Sequence, residues 1–112
     1  IFLAQNMDHD AAELFAAISQ TNPADVHVYN RLGIAYRKQG KFQDAIAEYH
    51  KALKVDPEDE HLYYNLGRAY LEADRVADAK AQFRKALDLN PQFPEVLEIL
   101  REIEAKQDGH AG

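Results

Sequence analysis

Apolar residues recur at helical spacing through most of the chain. In residues 26–39 and again in residues 42–53 they fall three or four positions apart, which places them on one face of a helix. No segment alternates between apolar and polar residues as a half-buried strand does. The pattern therefore predicts an all-α fold built from short amphipathic helices. The first stripe consists of Val26, Tyr29, Leu32, Ala35 and Tyr36, and the second of Phe42, Ala45, Ile46, Tyr49, Ala52 and Leu53.

Glycine and proline mark the expected ends of these helices. Gly40 follows the first stripe, at a place where a residue in the left-handed conformation commonly ends a helix. Asn22-Pro23, Asp56-Pro57 and Asn90-Pro91 each place a side chain that can cap a helix directly before a proline suited to a first helical turn. We therefore expect a helix to begin at each of these three dipeptides.

The chain repeats itself with a period of 34 residues. The matching positions combine aromatic, small and leucine residues, and Pro57 recurs as Pro91. The same offset places Phe15 at the position of Tyr49, so residues 1–25 form most of a further repeat. The clearest matches are Tyr29, Leu32, Gly33, Ala35 and Tyr36, which recur as Tyr63, Leu66, Gly67, Ala69 and Tyr70.

Two of the repeated residues are glycines within predicted helices. Gly33 and Gly67 each cost the helix about 1 kcal/mol relative to alanine. Because the cost is repeated, we expect a repeated gain, namely close approach of two helix backbones. Ala45 and Ala79 are the small residues predicted to lie opposite the glycines.

This pattern resembles the tetratricopeptide repeat, in which an aromatic residue, Leu-Gly, Tyr, Ala, a second aromatic residue, Ala and Pro recur every 34 residues. Tyr29 and Tyr63 stand where the family usually has Trp, and Ile18 stands where it usually has a small Ala. The resemblance implies a right-handed superhelical solenoid of antiparallel helix hairpins. It also implies that the chain binds another protein.

The register of the repeat predicts how the chain is organised. Residues 26–59 and 60–93 are two complete repeats, and residues 1–25 are the second part of a truncated one. Residues 94–107 keep the apolar packing face but lack the Gly and Tyr that continue the pattern, as a terminal capping helix does. Residues 108–112 are predicted to form a disordered tail.

Composition narrows the range of functions. The 112 residues carry a net charge of −6, and an acidic chain repels phosphate backbones, so no nucleic acid partner is expected. No apolar run is long enough to span a membrane. The chain begins with Ile1 and has no signal-peptide pattern, which suggests a piece of a larger protein. Without cysteine the compartment stays open; we expect the cytoplasm, with the periplasm as the alternative.

The search for catalytic chemistry is mostly negative. The sequence has no phosphate-binding loop, no His-Glu-x-x-His and no nucleophile elbow, and neither Ser19 nor Thr21 lies in a motif. Asp8-His9-Asp10 could hold a metal, but Asp8 capping a helix with His9 and Asp10 in its first turn explains these residues more simply. We therefore expect no enzyme activity, no cofactor and no metal.

The resemblance also implies a binding surface, because the first helix of each hairpin lines the concave face in this family. These positions are not the buried Leu-Gly-Tyr positions, so we expect binding rather than packing to explain them. Residues 26–39 contain Arg31, Arg37 and Lys38 but no acid, which favours a partner segment with carboxylates over an ordinary solvated helix face. The predicted groove residues are His27, Asn30, Arg31, Ile34, Arg37, His61, Tyr64, Asn65, Arg68 and Leu71.

Family members that hold chaperone C-termini use a two-carboxylate clamp of Lys, Asn, Asn, Lys and Arg. Here only Asn65 fits its position, and Glu95 has the wrong charge. We therefore predict no chaperone-tail clamp. The five clamp positions in this chain are Asn30, Ile34, Asn65, Glu95 and Ile99.

Self-association is the other function that the sequence leaves open. A chain that begins partway through a hairpin would expose Phe2, Leu3, Leu14 and Ile18, and that apolar end could form a homodimer or dock within a larger protein.

Overall fold

The computed structural model describes residues 25–111, with side chains as far as Gln107. All of its elements are α-helices, which confirms the predicted all-α class. The described residues divide into two compact units, one ending at Glu58 and one beginning at Asp59. The truncated repeat at residues 1–25 and its apolar end lie almost entirely outside the described residues. The helices are α1 (Val26–Lys38), α2 (Phe42–Val55), α3 (Glu60–Glu72), α4 (Val76–Leu89) and α5 (Pro94–Ala111).

Each unit contains one helix pair whose apolar stripes are buried. In the first unit α1 packs against α2, and in the second α3 packs against α4. Burial of these stripes removes apolar surface from water and supplies most of the driving force for folding. The buried side chains of the first pair are Val28, Tyr29, Leu32, Ala35, Ala45, Ile46, Tyr49 and Ala52; those of the second are Leu62, Leu66, Ala69, Tyr70, Ala79, Phe83 and Ala86.

The mid-helix glycines make room for an aromatic ring of the second helix. A Cβ added to Gly33 would lie 2.5 Å from Tyr49 Cε1, and one added to Gly67 would lie 2.5 Å from Phe83 Cε1. Both rings are 0% exposed, so neither can move aside freely. Each glycine therefore accommodates a ring that comes from one turn further along the second helix, and the placement of Ala45 and Ala79 opposite the glycines stays a prediction.

The two hairpin turns use the same hydrogen-bond pattern with different residues. Gly40 has a φ of +79°, and its amide donates to the Arg37 carbonyl at 3.0 Å while Lys41 donates to Tyr36 at 2.9 Å. This pair of hydrogen bonds is a Schellman motif, and it confirms Gly40 as a helix end. In the second hairpin Asp74 takes the left-handed position with a φ of 61°, although aspartate is less suited to it than glycine.

The starts of the helices differ from the sequence prediction. Asp25 caps α1 and Asp59 caps α3, each through hydrogen bonds from amides in the first turn. Asp56 and Asn90 instead follow α2 and α4 as the residues that end them. A dipeptide of capping residue and proline therefore marks the connection between hairpins, and the new helix begins a few residues later.

Replacing Asp59 with alanine is expected to lower the free energy of unfolding by about 1 kcal/mol, because the cap that accepts from the His61 amide at 2.9 Å is lost. Asp56→Ala is the matched control and should change stability by less than about 0.5 kcal/mol, since Asp56 accepts only a 3.4 Å bond in an exposed turn. Urea denaturation followed by circular dichroism measures both. A larger loss of stability for Asp56→Ala than for Asp59→Ala would support the sequence prediction that Asp56 caps the helix.

Helix α5 packs against α4 through one apolar face. Val96, Leu100 and Ile103 are buried, Ile99 is half-buried, and Leu97 stays 42% exposed. Lys80 Nζ of α4 donates to Gln107 Oε1 of α5 at 3.0 Å. The helix continues to Ala111, four residues beyond the predicted end at residue 107, because no proline stops it and a single glycine costs a helix only about 1 kcal/mol.

Candidate peptide-binding surface

The α1 face is the stripe of predicted groove residues on the first helix. His27 and Arg31 are exposed, and Asn30, Ile34 and Arg37 are half-buried. Helix α1 has no acid in its first turn, and Arg37 with Lys38 lies in its last turn, where cations interact favourably with the helix dipole. Arg31 is exposed in the middle of the helix, where the dipole does not explain a cation.

The α3 face is the corresponding stripe on the third helix, and part of it has a packing role. The His61 ring meets the buried Phe93 ring edge-on with centroids 5.1 Å apart. Tyr64 lies 5.3 Å from Phe93 and 6.2 Å from Phe83. Packing therefore accounts in part for Tyr64, whose half-buried ring contacts Phe83 and Phe93, whereas the His61 side chain touches Phe93 but stays 68% exposed.

The other members of the α3 face are half-buried. Asn65 and Leu71 are both partly covered, and the Arg68 guanidinium lies over the Tyr64 ring at 5.7 Å from its centroid. This distance is within the range of a cation–π interaction. One face of the Tyr64 ring is therefore already directed toward a cation.

The sequence analysis did not predict that residues of α5 line a cleft beside the α3 face. Tyr64, Glu95, Glu98, Ile99 and Glu102 line one open cleft of about 280 Å³. The signal was available: an offset of 34 residues places these four α5 residues at the positions of His61, Tyr64, Asn65 and Arg68. The sequence analysis considered Glu95 and Ile99 only as positions of the chaperone clamp and did not include α5 in the groove.

A second cleft of about 380 Å³ lies next along the same two helices. Its apolar lining consists of Leu71, Val76, Ile99 and Ile103, and its polar lining of Asp74, Glu102, Lys106 and Gln107. Leu71 is the one predicted groove residue in this cleft. The other lining residues were not predicted as groove residues, because they come from α4, from α5 and from the turn before α4.

Two pKa shifts in the first unit arise from packing around a buried glutamate. Glu48 is 7% exposed and accepts from Lys51 Nζ at 2.9 Å. This hydrogen bond raises the pKa of Lys51. Burial raises the pKa of the Tyr36 hydroxyl, and the Glu48 carboxylate adds to the effect. The pKa of Lys51 is thus raised by its bond to Glu48 and the pKa of Tyr36 mainly by burial, and neither group belongs to the predicted groove.

The described part of the chain holds no group of three or more side chains suited to binding a metal ion. The interpretation of Asp8-His9-Asp10 as a metal site concerns residues outside the part of the chain that the structure describes. Among the described helices, none is long and apolar enough to cross a membrane.

Known proteins resemble this chain in sequence pattern and in fold. The family model for the tetratricopeptide repeat matches residues 2–49 and 30–94. No curated protein matches the chain in sequence.

Several solved structures have the same fold. The first tetratricopeptide domain of Spaghetti (RPAP3), bound to the HSP90 peptide SRMEEVD, is 20% identical with a TM-score of 0.85, covering 96% of this chain and 85% of that one. The Arabidopsis OM64 domain is 24% identical with a TM-score of 0.83, covering 90% and 84%. The Yersinia enterocolitica secretion chaperone SycD, in complex with a YopD peptide, is 19% identical with a TM-score of 0.76, covering 96% and 82%.

Proposed function

Because the chain belongs to the tetratricopeptide repeat family, we propose that it is a protein-interaction module that binds a peptide or protein segment on the first helices of its hairpins. The observation that carries the proposal is the shared pattern of α1 and α3. In each helix the Leu-Gly pair is buried, while a polar and partly apolar stripe remains accessible to a partner. Two of the similar structures contain bound peptides, which supports the same function here.

We further propose that the α1 face prefers a segment that carries carboxylates. Arg31 is exposed on a helix without a single acid, so its guanidinium can form paired hydrogen bonds with a carboxylate. Ile34 lies about one helical turn after Arg31. It is half-buried, which leaves apolar surface for a neighbouring side chain of the partner.

The test uses a short synthetic peptide in which leucines alternate with glutamates, titrated by calorimetry. Arg31→Glu should weaken its binding about tenfold or more, because an attraction becomes a repulsion. Lys54→Glu is the matched control: it makes the same charge change at an exposed site on α2 and should weaken binding less than about twofold. Equal losses for the two variants would contradict the proposed α1 site.

We also expect that a peptide ending in Glu-Glu-Val-Asp does not bind tightly. A clamp would need Lys and Arg where this chain has Glu95 and Ile99, and both of these residues line the cleft beside Tyr64. A carboxylate-rich tail would therefore meet another carboxylate there. Tight binding measured by calorimetry would contradict the absence of the clamp.

Self-association is a second candidate, because Val55, Leu89 and Leu97 are large apolar side chains that remain 40–44% exposed. Single exposed apolar side chains are common in monomers, so peptide binding remains the first proposal. Light scattering at several concentrations distinguishes the two: a mass that rises with concentration favours self-association.

A further inference from the structure

The two clefts of the second unit are adjacent, and together they form one surface depression along α5 and α3. They share Ile99 and Glu102, so the surface runs along α5 from Glu95 to Gln107 with α3 beside it. We call this depression the α3–α5 groove. It lies wholly within the second unit, and the α1 face forms no part of it.

The floor of the α3–α5 groove is apolar. Leu71 of α3, Val76 of α4 and Ile99 of α5 are half-buried, and Ile103 beside them is buried. Each half-buried side chain still has apolar surface that a partner could remove from water, which favours binding. A floor of this kind fits an apolar side chain of a partner.

The rim of the same groove is negatively charged. Glu95, Glu98, Glu102 and Asp74 line it, against Lys106 as the one lining cation, so four negative charges and one positive charge leave a net charge of −3. In the part of the chain that the structure describes, none of these three glutamates forms an ion pair with a residue of α3 or α5. Their negative potential is directed at whatever occupies the groove.

Interactions within the helix account for only part of this stripe. Glu95 lies in the first turn of α5, where the helix dipole favours an acid. Glu102 lies four residues before Lys106, a spacing that favours opposite charges, but it also lies four residues after Glu98, a spacing that disfavours like charges. The stripe keeps a net negative charge along the groove, which a cationic partner segment would complement.

We propose that the α3–α5 groove binds a protein segment in which an apolar side chain lies next to lysine or arginine. The apolar side chain would cover Leu71 and Ile99, and the cations would lie against Glu98 and Glu102. The proposal rests on the function proposed above and deepens it, because it assigns to the second unit the opposite charge preference from that of the α1 face.

The experiment uses a short synthetic peptide in which leucines alternate with lysines, with the glutamate–leucine peptide as its counterpart. Calorimetric titration at low salt should detect binding of the lysine peptide to the unmodified chain. The double variant Glu98→Gln/Glu102→Gln should bind it about fivefold to tenfold more weakly, since each ion pair near the surface contributes up to about 1 kcal/mol.

The matched control is Glu58→Gln/Glu104→Gln. It removes the same net charge from exposed positions that do not line the groove, and it should weaken binding less than about twofold. Equal weakening in both double variants would mean that the acidic chain attracts any cationic peptide, and it would overturn the proposal. Circular dichroism checks that all the variants fold, as glutamine replaces exposed glutamate without a change of size.

A second pair of variants tests the apolar floor. Ile99→Gln should weaken binding of the lysine peptide, whereas Leu97→Gln on the same helix should not, because Leu97 lines neither cleft. If the lysine peptide does not bind at all, the groove proposal fails. In that case, continued binding of the glutamate peptide with sensitivity to Arg31→Glu would leave the function proposed for the α1 face intact.

Discussion

Gly67→Ala is expected to lower the free energy of unfolding by about 2 kcal/mol. The added Cβ would lie 2.5 Å from Cε1 and 2.7 Å from Cδ1 of Phe83, a ring with no exposed surface. Either the ring or the α3 backbone must shift, and such overpacking costs more than the roughly 1 kcal/mol that alanine returns in helix propensity. Urea denaturation of the purified chain measures the change.

Two further variants identify the cause. Phe83→Leu makes the facing side chain smaller, so in a double-mutant cycle the pair Gly67→Ala and Phe83→Leu should be less destabilised than the sum of the single changes. Gly40→Ala is the control for backbone conformation, because no atom lies within 4 Å of its added Cβ and only its φ of +79° opposes the change. A stabilising Gly67→Ala would show that the ring yields and that propensity decides.

Phe93→Ala is expected to cost about 3 kcal/mol or more, the usual range for a buried phenylalanine cut to alanine. Phe93 is 4% exposed and its ring meets those of His61 and Tyr64 at 5.1 and 5.3 Å. Its loss leaves a cavity between α3 and the start of α5. Thermal and urea denaturation provide the measurement, and Leu97→Ala, at an exposed site nearby in sequence, should change stability by less than about 0.5 kcal/mol.

Phe93→Ala also tests whether the packing of Tyr64 affects binding in the α3–α5 groove. Phe93 supports Tyr64, and Tyr64 lines the cleft with the α5 glutamates. Under conditions where Phe93→Ala remains folded, the lysine–leucine peptide should bind more weakly than it binds Leu97→Ala. Unchanged affinity would show that binding in the α3–α5 groove does not depend on the contact between Phe93 and Tyr64.

The first helices of the repeats and α5 differ in charge at equivalent positions. Arg31 has Asn65 and then Ile99 at its equivalent positions, while His61 and Arg68 are followed by Glu95 and Glu102. The α1 face is therefore proposed to prefer carboxylates, and the α3–α5 groove to prefer cations. The peptides and variants described above measure each preference separately.

Much of the fold could be predicted from the sequence because its determinants are local. The 3.6-residue spacing of apolar residues and the 34-residue period locate all five described helices, and the end of α1 at Gly40 follows from one left-handed residue. Capping was less predictable. Asp56 and Asp59 are both able to cap a helix. Asp59 is the residue that caps α3, because the chain needs several residues to turn between the two helices.

The sequence by itself thus determined the helices, their repeat and the family, since these depend on residues a few positions apart. Only the tertiary structure decided which atoms occupy the space above each glycine, because Gly67 and Phe83 are brought together by the packing of α3 on α4. It also decided the charge of the surface beside Tyr64. That charge comes from α5, and its glutamates lie beside α3 because Val96, Leu100 and Ile103 turn the opposite face of the helix into the core.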